Sequence, residues 1–415
     1  MNTTKSIFKL STLTILCTVG LSPLAHAEDI VLRYALWDRN QLPYEEALAR
    51  KYEEKNPGVK IEFELTPYKE FFVKLGAAST GGVSPDIFWM NMPNVTQYSK
   101  NGIIEPLNAH IASTKFDVTT MLDSSIKAYQ YNGEQMTIPR DVDSIAVWYN
   151  KKLFDEAGIA YPTNDWTWDD LRNTTKQLHE KLGDKAFPLM MDLSGDGQDS
   201  YLNLLYQKGL HITPMGDKPT DIASQEAIWV YEQLQEMMQD GSLPSIEQMS
   251  ELKTEEAFQS DRVALAYAGS WLAGPFANNE IINKHVGVVM MPKIDIQASV
   301  SHSVSYAISS ASKQKEAAWQ YISYLASEEA QSQLGTSAIP ANKNASKVWA
   351  ESIKTVDVSP YIETLQFSKA YPVAGTNNPK WQNLWLSALK KIFLGSDATK
   401  EMSKVIEKIE KTMGQ

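Results

Sequence analysis

The sequence has almost no cysteine, with Cys17 as the single cysteine among 415 residues. One thiol cannot form an intramolecular disulfide, and Cys17 lies in an N-terminal apolar segment that we predict to be removed. Cys17 also follows Leu16, where a bacterial lipoprotein would carry a small residue. Neither a disulfide framework nor a lipid anchor is therefore expected, and the fold must depend on its hydrophobic core.

Long apolar runs and excess positive charge are also missing. The N-terminus carries Lys5 and Lys9, a run from Leu10 to Leu21, and the small residues Ala25 and Ala27. This run is shorter than the roughly 20 apolar residues that span a membrane, and the pattern predicts a secretory signal peptide cleaved after Ala27. The 39 basic and 50 acidic residues give a net charge of −11. Nucleic acid is therefore a poor partner.

Clusters of metal ligands are scarce. The histidines outside the signal segment are scattered without metal-ligand spacing: His110, His179, His211, His285 and His302. The run from Asp192 to Asn203 begins like a calcium loop, with Asp192, Ser194, Asp196 and Gly197, but its twelfth position is Asn203 instead of a bidentate Glu. Three interpretations stay open for this run: a ligand-contacting loop, a solvated turn or a calcium site. We predict no cofactor and no metal.

What the chain does contain is an alternation of strand and helix patterns. Residues 30–37 and 59–65 are β-rich, and between them a helical pattern begins at Pro43 and stops at Pro57-Gly58. Strand, helix, strand predicts an α/β lobe with parallel strands, whose polar loops lie at the carboxyl edge where open α/β sheets bind ligands. No repeat and no flexible linker is visible, so a chain with two domains would pass between them more than once.

Eight segments, in order from about residue 50 to about residue 342, resemble the extracellular solute-binding proteins of bacterial sugar ABC transporters, family 1, to which maltodextrin-binding protein belongs. They are "KYEEKNPGVKIEFE", "PDIFWMN", "NGIIEPL", "IPRDVDSIAVWYNKKLFDEAGI", "AYAGSWLAG", "VVMMP", "AAWQYISYLASEEAQ" and "SAIPAN". Each segment alone is weak, but their order behind a signal peptide is specific.

The resemblance implies an α/β fold of two lobes, the type II periplasmic-binding-protein fold, with a ligand cleft between lobes joined by hinge strands. It assigns residues 28–142 and 307–350 to the first lobe and 143–306 and 351–415 to the second. It also implies a monomeric periplasmic receptor without enzymatic activity. Such a receptor captures a carbohydrate and delivers it to membrane-embedded ABC permease subunits.

A pyranose has an apolar face of C–H groups and a rim of hydroxyls, so its site needs aromatic plates and polar groups. The sequence and the resemblance together predict ligand-binding residues in six regions. They are Asp38, Arg39 and Asn40; Trp89 and Asn91; Arg140 and Asp143; Asp196, Asp199 and Tyr201; Gly269 and Trp271; and Trp381 and Trp385. Gly269 is expected to permit close backbone approach, and Trp271 to stack on the ligand.

Several alternatives remain at this point. Any of the tryptophans could serve the core instead, as is expected for Trp148, Trp229 and Trp319. Asp143 could belong to a hinge ion pair. Guanidinium groups bind carboxylate, sulfonate or phosphate in bidentate fashion, so Arg39 and Arg140 leave an acidic sugar open. A secreted glycoside hydrolase could draw paired carboxylates from Asp143, Asp196 and Asp199. A peptide- or metal-binding receptor fits less well.

Overall fold

The computed structural model describes residue 1, residues 29–193, residue 195, and residues 197–213, 220–373 and 378–413. Apart from Met1, the predicted signal peptide lies outside these residues, as do Ser194 and Asp196 of the calcium-like run. Among the helices described, none combines the length and the apolar character that crossing a membrane requires.

The strands and helices alternate along the chain as the sequence patterns predict. The strands are β1 Ile30–Leu36, β2 Val59–Leu65, β3 Ile87–Asn91, β4 Gln130–Tyr131, β5 Glu134–Gln135, β6 Ile138–Pro139, β7 Asp141–Val142, β8 Ile145–Asn150, β9 Phe187–Met190, β10 Val263–Gly269, β11 Val286–Val289, β12 Ser299–Ser301, β13 Val304–Ile308, β14 Ile339–Pro340 and β15 Ser368–Ala370. The helices are α1 Leu42–Lys55, α2 Tyr68–Thr80, α3 Met92–Lys100, α4 Asn108–Thr114, α5 Asp123–Ala128, α6 Lys151–Ala157, α7 Trp168–Leu182, α8 Tyr201–Gln207, α9 Gln225–Gln239, α10 Ile246–Glu251, α11 Thr254–Gln259, α12 Ala273–Asn278, α13 Lys315–Leu325, α14 Glu328–Gln331, α15 Lys343–Ser352, α16 Ser359–Leu365, α17 Asn378–Phe393 and α18 Ala398–Met413.

The first lobe is built on a five-stranded sheet in the order β2-β1-β3-β13-β6. β1 pairs in parallel with both β2 and β3, whereas β13 runs antiparallel to β3. The last residue of β3, Asn91, pairs with the first residue of β13, Val304. The carboxyl ends of β1, β2 and β3 therefore lie at the edge of the sheet where β13 enters.

The second lobe is built on a four-stranded sheet in the order β11-β8-β10-β9. β8 runs antiparallel to β10, and Gly269 at the end of β10 pairs with Ile145 at the start of β8. β10 therefore ends beside the point where the chain enters the second lobe. Trp148 on β8 is fully buried in the core of this lobe, as predicted.

Three segments connect the lobes and form the hinge: residues 140–143, 301–304 and 339–341. The first two are joined by backbone hydrogen bonds from Arg140 N to Val304 O at 2.8 Å and from Asp143 N to His302 O at 3.0 Å. The third joins the first through the pairing of β14 with β7. Because β13 pairs within the first sheet, the predicted change of lobe between residues 306 and 307 falls inside this strand.

The apolar core is divided among three clusters of buried side chains. One lies against the first sheet and includes Leu48 of α1 and Ile322 of α13. The second belongs to the second lobe and includes Phe258 and Phe276. The third extends from α3 in the first lobe to α17 in the second. The lobes are therefore in contact away from the hinge as well as through it.

Candidate functional site

The carboxyl edge of the first sheet presents an aromatic surface. Trp37 follows β1 directly, is half-buried, and meets the ring of Tyr68 edge to face with centroids 5.6 Å apart. Tyr68 begins α2, is 44% exposed, and accepts a hydrogen bond from Nδ2 of Asn91 at 3.0 Å. Asn91, predicted as a site residue, is itself buried at the end of β3. Trp37 and Tyr68 are therefore the accessible aromatic groups at this edge.

The loop after Trp37 carries the predicted residues Asp38, Arg39 and Asn40. The Asp38 carboxylate accepts hydrogen bonds from the backbone N–H of Asn40 at 2.8 Å and from Nε2 of Gln41 at 3.0 Å, which fixes the loop. Arg39 and Asn40 are exposed. Nδ2 of Asn40 lies 3.4 Å from Oε1 of Glu255 on α11, so this loop reaches the second lobe.

Trp271 occupies the corresponding edge of the second lobe. β10 ends at Gly269, a short 3-10 turn covers Ser270–Leu272, and Trp271 in this turn is half-buried. The indole lies directly on Gly269, because a Cβ added at Gly269 would be 2.0 Å from Cζ3 of Trp271. The close approach predicted at Gly269 is thus made by the indole, which turns back over the end of its own strand.

Asp143 lies in the first hinge segment and is 9% exposed. Its Oδ1 accepts hydrogen bonds from the backbone N–H of His302 at 2.8 Å and from Nε2 of Gln198 at 2.9 Å. The imidazole of His302 is buried, and burial lowers the pKa of His302 to about 3. Asp143 therefore ties two hinge segments to the run 192–203, in line with the hinge role left open by the sequence.

The described residues of the run 192–203 are held together by polar groups of the run itself, and its last three residues begin α8. Asp192 Oδ1 accepts from the backbone N–H of Gly195 at 3.1 Å, and Ser200 Oγ donates to the carbonyl of Asp192 at 2.7 Å. Asn203 is fully buried and donates to the carbonyl of Gln198 at 2.7 Å. Among the described residues, no group of three or more His, Cys, Asp or Glu side chains is placed to hold a metal ion.

Tyr201 and Asp199, both predicted to contact a ligand, differ in their burial. Tyr201 is fully buried against the indole of Trp385, with ring centroids 5.6 Å apart, and its ring packs over Gly197. Asp199 is half-buried next to it in the turn. Asp196, predicted as a third contact in this run, lies outside the described residues. Of the two described residues, Asp199 is the more accessible.

Trp89 and Arg140 were predicted to line the cleft, but the structure buries both of them. Both side chains are fully buried: Trp89 lies on β3, in the middle of the sheet with both faces covered, and Arg140 lies in the first hinge segment. The guanidinium of Arg140 lies 4.8 Å from the ring of Trp89, and its Nε donates to Glu45 Oε1 at 2.7 Å. Its Nη1 donates to Asp141 Oδ2 at 2.6 Å. Trp89 and Arg140 therefore hold the first lobe to the hinge and do not face the cleft.

Trp381 and Trp385 are likewise buried rather than exposed on a cleft wall, at 1% and 2% exposure. They lie four residues apart on α17 with ring centroids 5.1 Å apart, which places them on the same helical face as predicted. That face is turned into the large apolar cluster, where Nε1 of Trp385 donates to the hydroxyl of Tyr231 at 3.3 Å. The two indoles therefore share one face of α17, and this face packs in the core instead of lining the cleft.

Sequence reasoning missed Tyr68 and Glu255. Tyr68 comes three residues after the end of β2, and the general rule that loops after parallel strands line the binding edge could have found it. Glu255 lies in a helical stretch with no distinguishing local pattern, and its position opposite Asn40 appears only when the lobes are assembled. The pKa of Glu255 is raised by burial and, second, by the charge of Asp38.

The sequence is similar to that of known solute-binding proteins. A family model described as "Bacterial extracellular solute-binding protein" matches residues 38–332. The galactooligosaccharide-binding protein of Bacillus subtilis is 24% identical over 364 residues, which cover 84% of this chain and 81% of that protein.

Solved structures share the fold. The ABC substrate-binding protein of Listeria monocytogenes in complex with cycloalternan has a TM-score of 0.84 at 24% identity, covering 93% of this chain and 99% of that chain. The GacH receptor of Streptomyces glaucescens, solved unliganded and with acarbose, has a TM-score of 0.81 at 19% identity, covering 92% and 97%. The predicted two-lobe type II fold is thereby confirmed.

Proposed function

Because the chain belongs to the bacterial extracellular solute-binding proteins, we propose that it captures a carbohydrate between its two lobes and delivers it to membrane-embedded ABC permease subunits. The ligand class extends to mono-, di- and oligosaccharides and glycosides. The receptor works as a monomer outside the cytoplasmic membrane, in the periplasm, after cleavage of the signal peptide behind Ala27.

The observation that carries this proposal is that aromatic side chains lie at the edge of each central sheet that adjoins the hinge. Trp37 and Tyr68 lie at the carboxyl edge of the first sheet, and Trp271 lies at the end of β10 in the second. Both edges adjoin the hinge, because Asn91 pairs with Val304 in one sheet and Gly269 with Ile145 in the other. Aromatic faces suit the C–H face of a sugar ring, and adjacent amides and carboxylates suit its hydroxyls.

The relatives support the same class of ligand. The Bacillus relative is a galactooligosaccharide-binding protein, and the two solved structures hold cycloalternan and acarbose. The main rival, a glycoside hydrolase, requires two carboxyl groups held on either side of a glycosidic bond. Asp143, one of its candidates, has Oδ1 occupied by two internal donors.

A thermal-shift screen over mono-, di- and oligosaccharides, glycosides and sugar acids tests the proposal. A ligand at 100 times its Kd stabilises the folded state by about 2.7 kcal/mol, so binding raises the melting temperature measurably. Each sugar that binds is then incubated with the protein and the products are separated by chromatography. Stoichiometric binding with intact sugar supports a receptor, whereas turnover would establish the hydrolase.

Ligand-dependent closure is a second expected outcome. A solute that contacts both lobes binds the closed form better, and it must therefore shift the population toward that form. Small-angle scattering should give a smaller radius of gyration at saturation with a sugar identified by the screen. An unchanged radius, together with a population already compact without sugar, would indicate a site that does not depend on closure.

A further inference from the structure

Arg140 is one of the two arginines that leave an acidic ligand open at the sequence level, and its position removes it from the cleft. Its side chain has no solvent exposure, and it forms ion pairs with Glu45 and Asp141 at 2.7 and 2.6 Å. Two carboxylates thus already neutralise one guanidinium. An anionic group on a ligand would have to reach a buried cation whose charge is fully compensated.

Two acidic side chains, Asp38 and Glu255, lie where the lobes meet. Glu255 extends from α11 of the second lobe to Asn40 of the first, with Nδ2 and Oε1 3.4 Å apart. Asp38, two residues before Asn40, is close enough for its charge to act on Glu255 across the lobe boundary. Lys253 lowers the pKa of Glu255, but by less than burial and Asp38 raise it. The two carboxylates therefore concentrate negative charge at the lobe boundary.

We propose that Glu255 is a specificity-determining residue of the cleft, which together with Asp38 selects neutral or amino sugars and rejects uronic acids and sugar phosphates. This inference rests on the proposed sugar-binding function and narrows its ligand class. The physical basis is like-charge repulsion inside a closing site. Closure removes the water that screens charges, so a third anion between Asp38 and Glu255 opposes closure.

The size of the effect follows from Coulomb's law. Two unit charges about 6 Å apart at an effective dielectric constant between about 20 and 80 repel enough to weaken binding by about 3- to 100-fold. Arg39 is the competing cation in the same loop, but it is exposed, and solvent and salt screen its charge. We therefore expect a uronic acid to bind at least about tenfold more weakly than its neutral parent.

The test uses matched sugars. For each sugar that raises the melting temperature, calorimetry compares three forms: the neutral sugar, the analogue oxidised at C6 to the uronic acid, and the 2-amino-2-deoxy analogue. The expected order of affinity places the neutral and amino forms at least about tenfold above the acid, with a difference that shrinks between about 0.02 M and about 0.5 M salt. Equal or tighter binding of the acid would overturn the inference.

Variants separate charge from steric exclusion. Glu255→Gln keeps an acceptor for Asn40 but removes the charge, so the ratio of the neutral sugar's affinity to the acid's, both measured in this variant, should fall to about threefold or less. Glu256→Gln, an exposed neighbour on the same helix, removes the same charge and should leave the penalty unchanged. A penalty that neither Glu255→Gln nor salt reduces would show that shape rejects the acid, and the inference would be wrong.

The result also distinguishes this inference from the proposed function. If only acidic sugars bind and Arg39→Gln abolishes their binding, the receptor function stands and the role of Glu255 is refuted. If no sugar of any charge binds, the proposed function itself fails and the specificity falls with it.

Discussion

Gly269 sets the position of Trp271 because only a residue without Cβ leaves room for the indole over the end of β10. An added Cβ would lie 2.0 to 2.3 Å from three ring atoms of Trp271, far inside contact distance. The indole would have to rotate away from the strand. The strand end and the aromatic wall of the cleft therefore depend on each other, although the sequence shows them only as neighbours.

Gly269→Ala should weaken sugar binding by at least about tenfold, because the displaced indole no longer covers the sugar ring. Trp271→Ala should weaken it by about 30- to 1000-fold, which corresponds to the loss of about 2 to 4 kcal/mol of aromatic contact. Titration calorimetry measures both. The control is Gly76→Ala on α2, where an added Cβ would make only an ordinary 3.6 Å contact with Tyr98. Unchanged affinity in both cleft variants, with a large fall in melting temperature, would move Trp271 into the core.

Arg140→Met should destabilise the protein without changing its ligand specificity. The substitution leaves Glu45 and Asp141 buried without their cation, and breaking a buried pair in this way costs about 3 to 5 kcal/mol of unfolding free energy. Urea denaturation measures the loss. Lys55→Met is the control, because both members of its ion pair with Glu329 are exposed and solvent screens the pair. A stable Arg140→Met protein with lost sugar affinity would return Arg140 to the binding site.

The sequence indicates which residue types a sugar site needs but not which tryptophans reach it. Trp37 and Trp89 both come from strands of the first sheet, yet Trp37 lies one residue past the end of β1 and Trp89 lies inside β3, which is buried on both faces. Periodicity cannot separate them, because a strand covered on both sides has no polar face to compare with. Of the two, Trp37 is the accessible one.

At the level of elements, capping residues set boundaries that hydrophobic periodicity does not show. The segment from Glu316 to Gln333 contains two helices, α13 and α14. They separate at Ser327, whose Oγ accepts from the backbone N–H of Ala330 at 3.1 Å and so begins a new helix. By contrast, the amphipathic segment at the C-terminus is one helix, α18, with Met402, Val405 and Ile409 buried.

The sequence of the run 192–203 begins like a calcium loop, whereas its described residues support the hinge through the hydrogen bond from Gln198 to Asp143. Asn203 stands at the position where a calcium loop needs its closing Glu. Its side chain instead forms internal hydrogen bonds with the backbone of Gln198 and Val300. Removing calcium with a chelator should therefore change sugar affinity by no more than about threefold, or about 0.65 kcal/mol. Calorimetry with and without the chelator measures this. Loss of binding that added calcium restores would establish the metal site.

For the whole molecule, the buried imidazole of His302 links stability to pH. Burial lowers the pKa of His302 to about 3, below the roughly 6.5 of an exposed histidine. Asp143 Oδ2 lies 3.8 Å from Nδ1 and favours the charged form, but two donors already engage this carboxylate, so burial dominates. The unfolded chain therefore binds a proton on this residue that the folded protein does not, over the range from about pH 6.5 to about pH 3.

The stabilising effect of neutral His302 is fully present above about pH 6.5 and is lost as the pH falls toward about 3. Denaturation at a series of pH values should show a decrease in unfolding free energy across this window that is smaller in His302→Gln. His179→Gln is the control, because His179 is exposed. Identical pH profiles for the wild type and His302→Gln would show that this imidazole does not couple proton binding to folding.

The position of β13 in the first sheet has a consequence for the order in which the chain can fold. β13 ends at Ile308 and lies between β3 and β6, which end at Asn91 and Pro139. Until Ile308 is available, β3 has an open edge and β6 has no strand to pair with, however much of the first lobe has already emerged. Pairings between such distant segments form slowly. In a chain that crosses a membrane N-terminus first, the first sheet therefore stays incomplete until about three quarters of the chain has passed, and only then can β13 pair with β3 and β6.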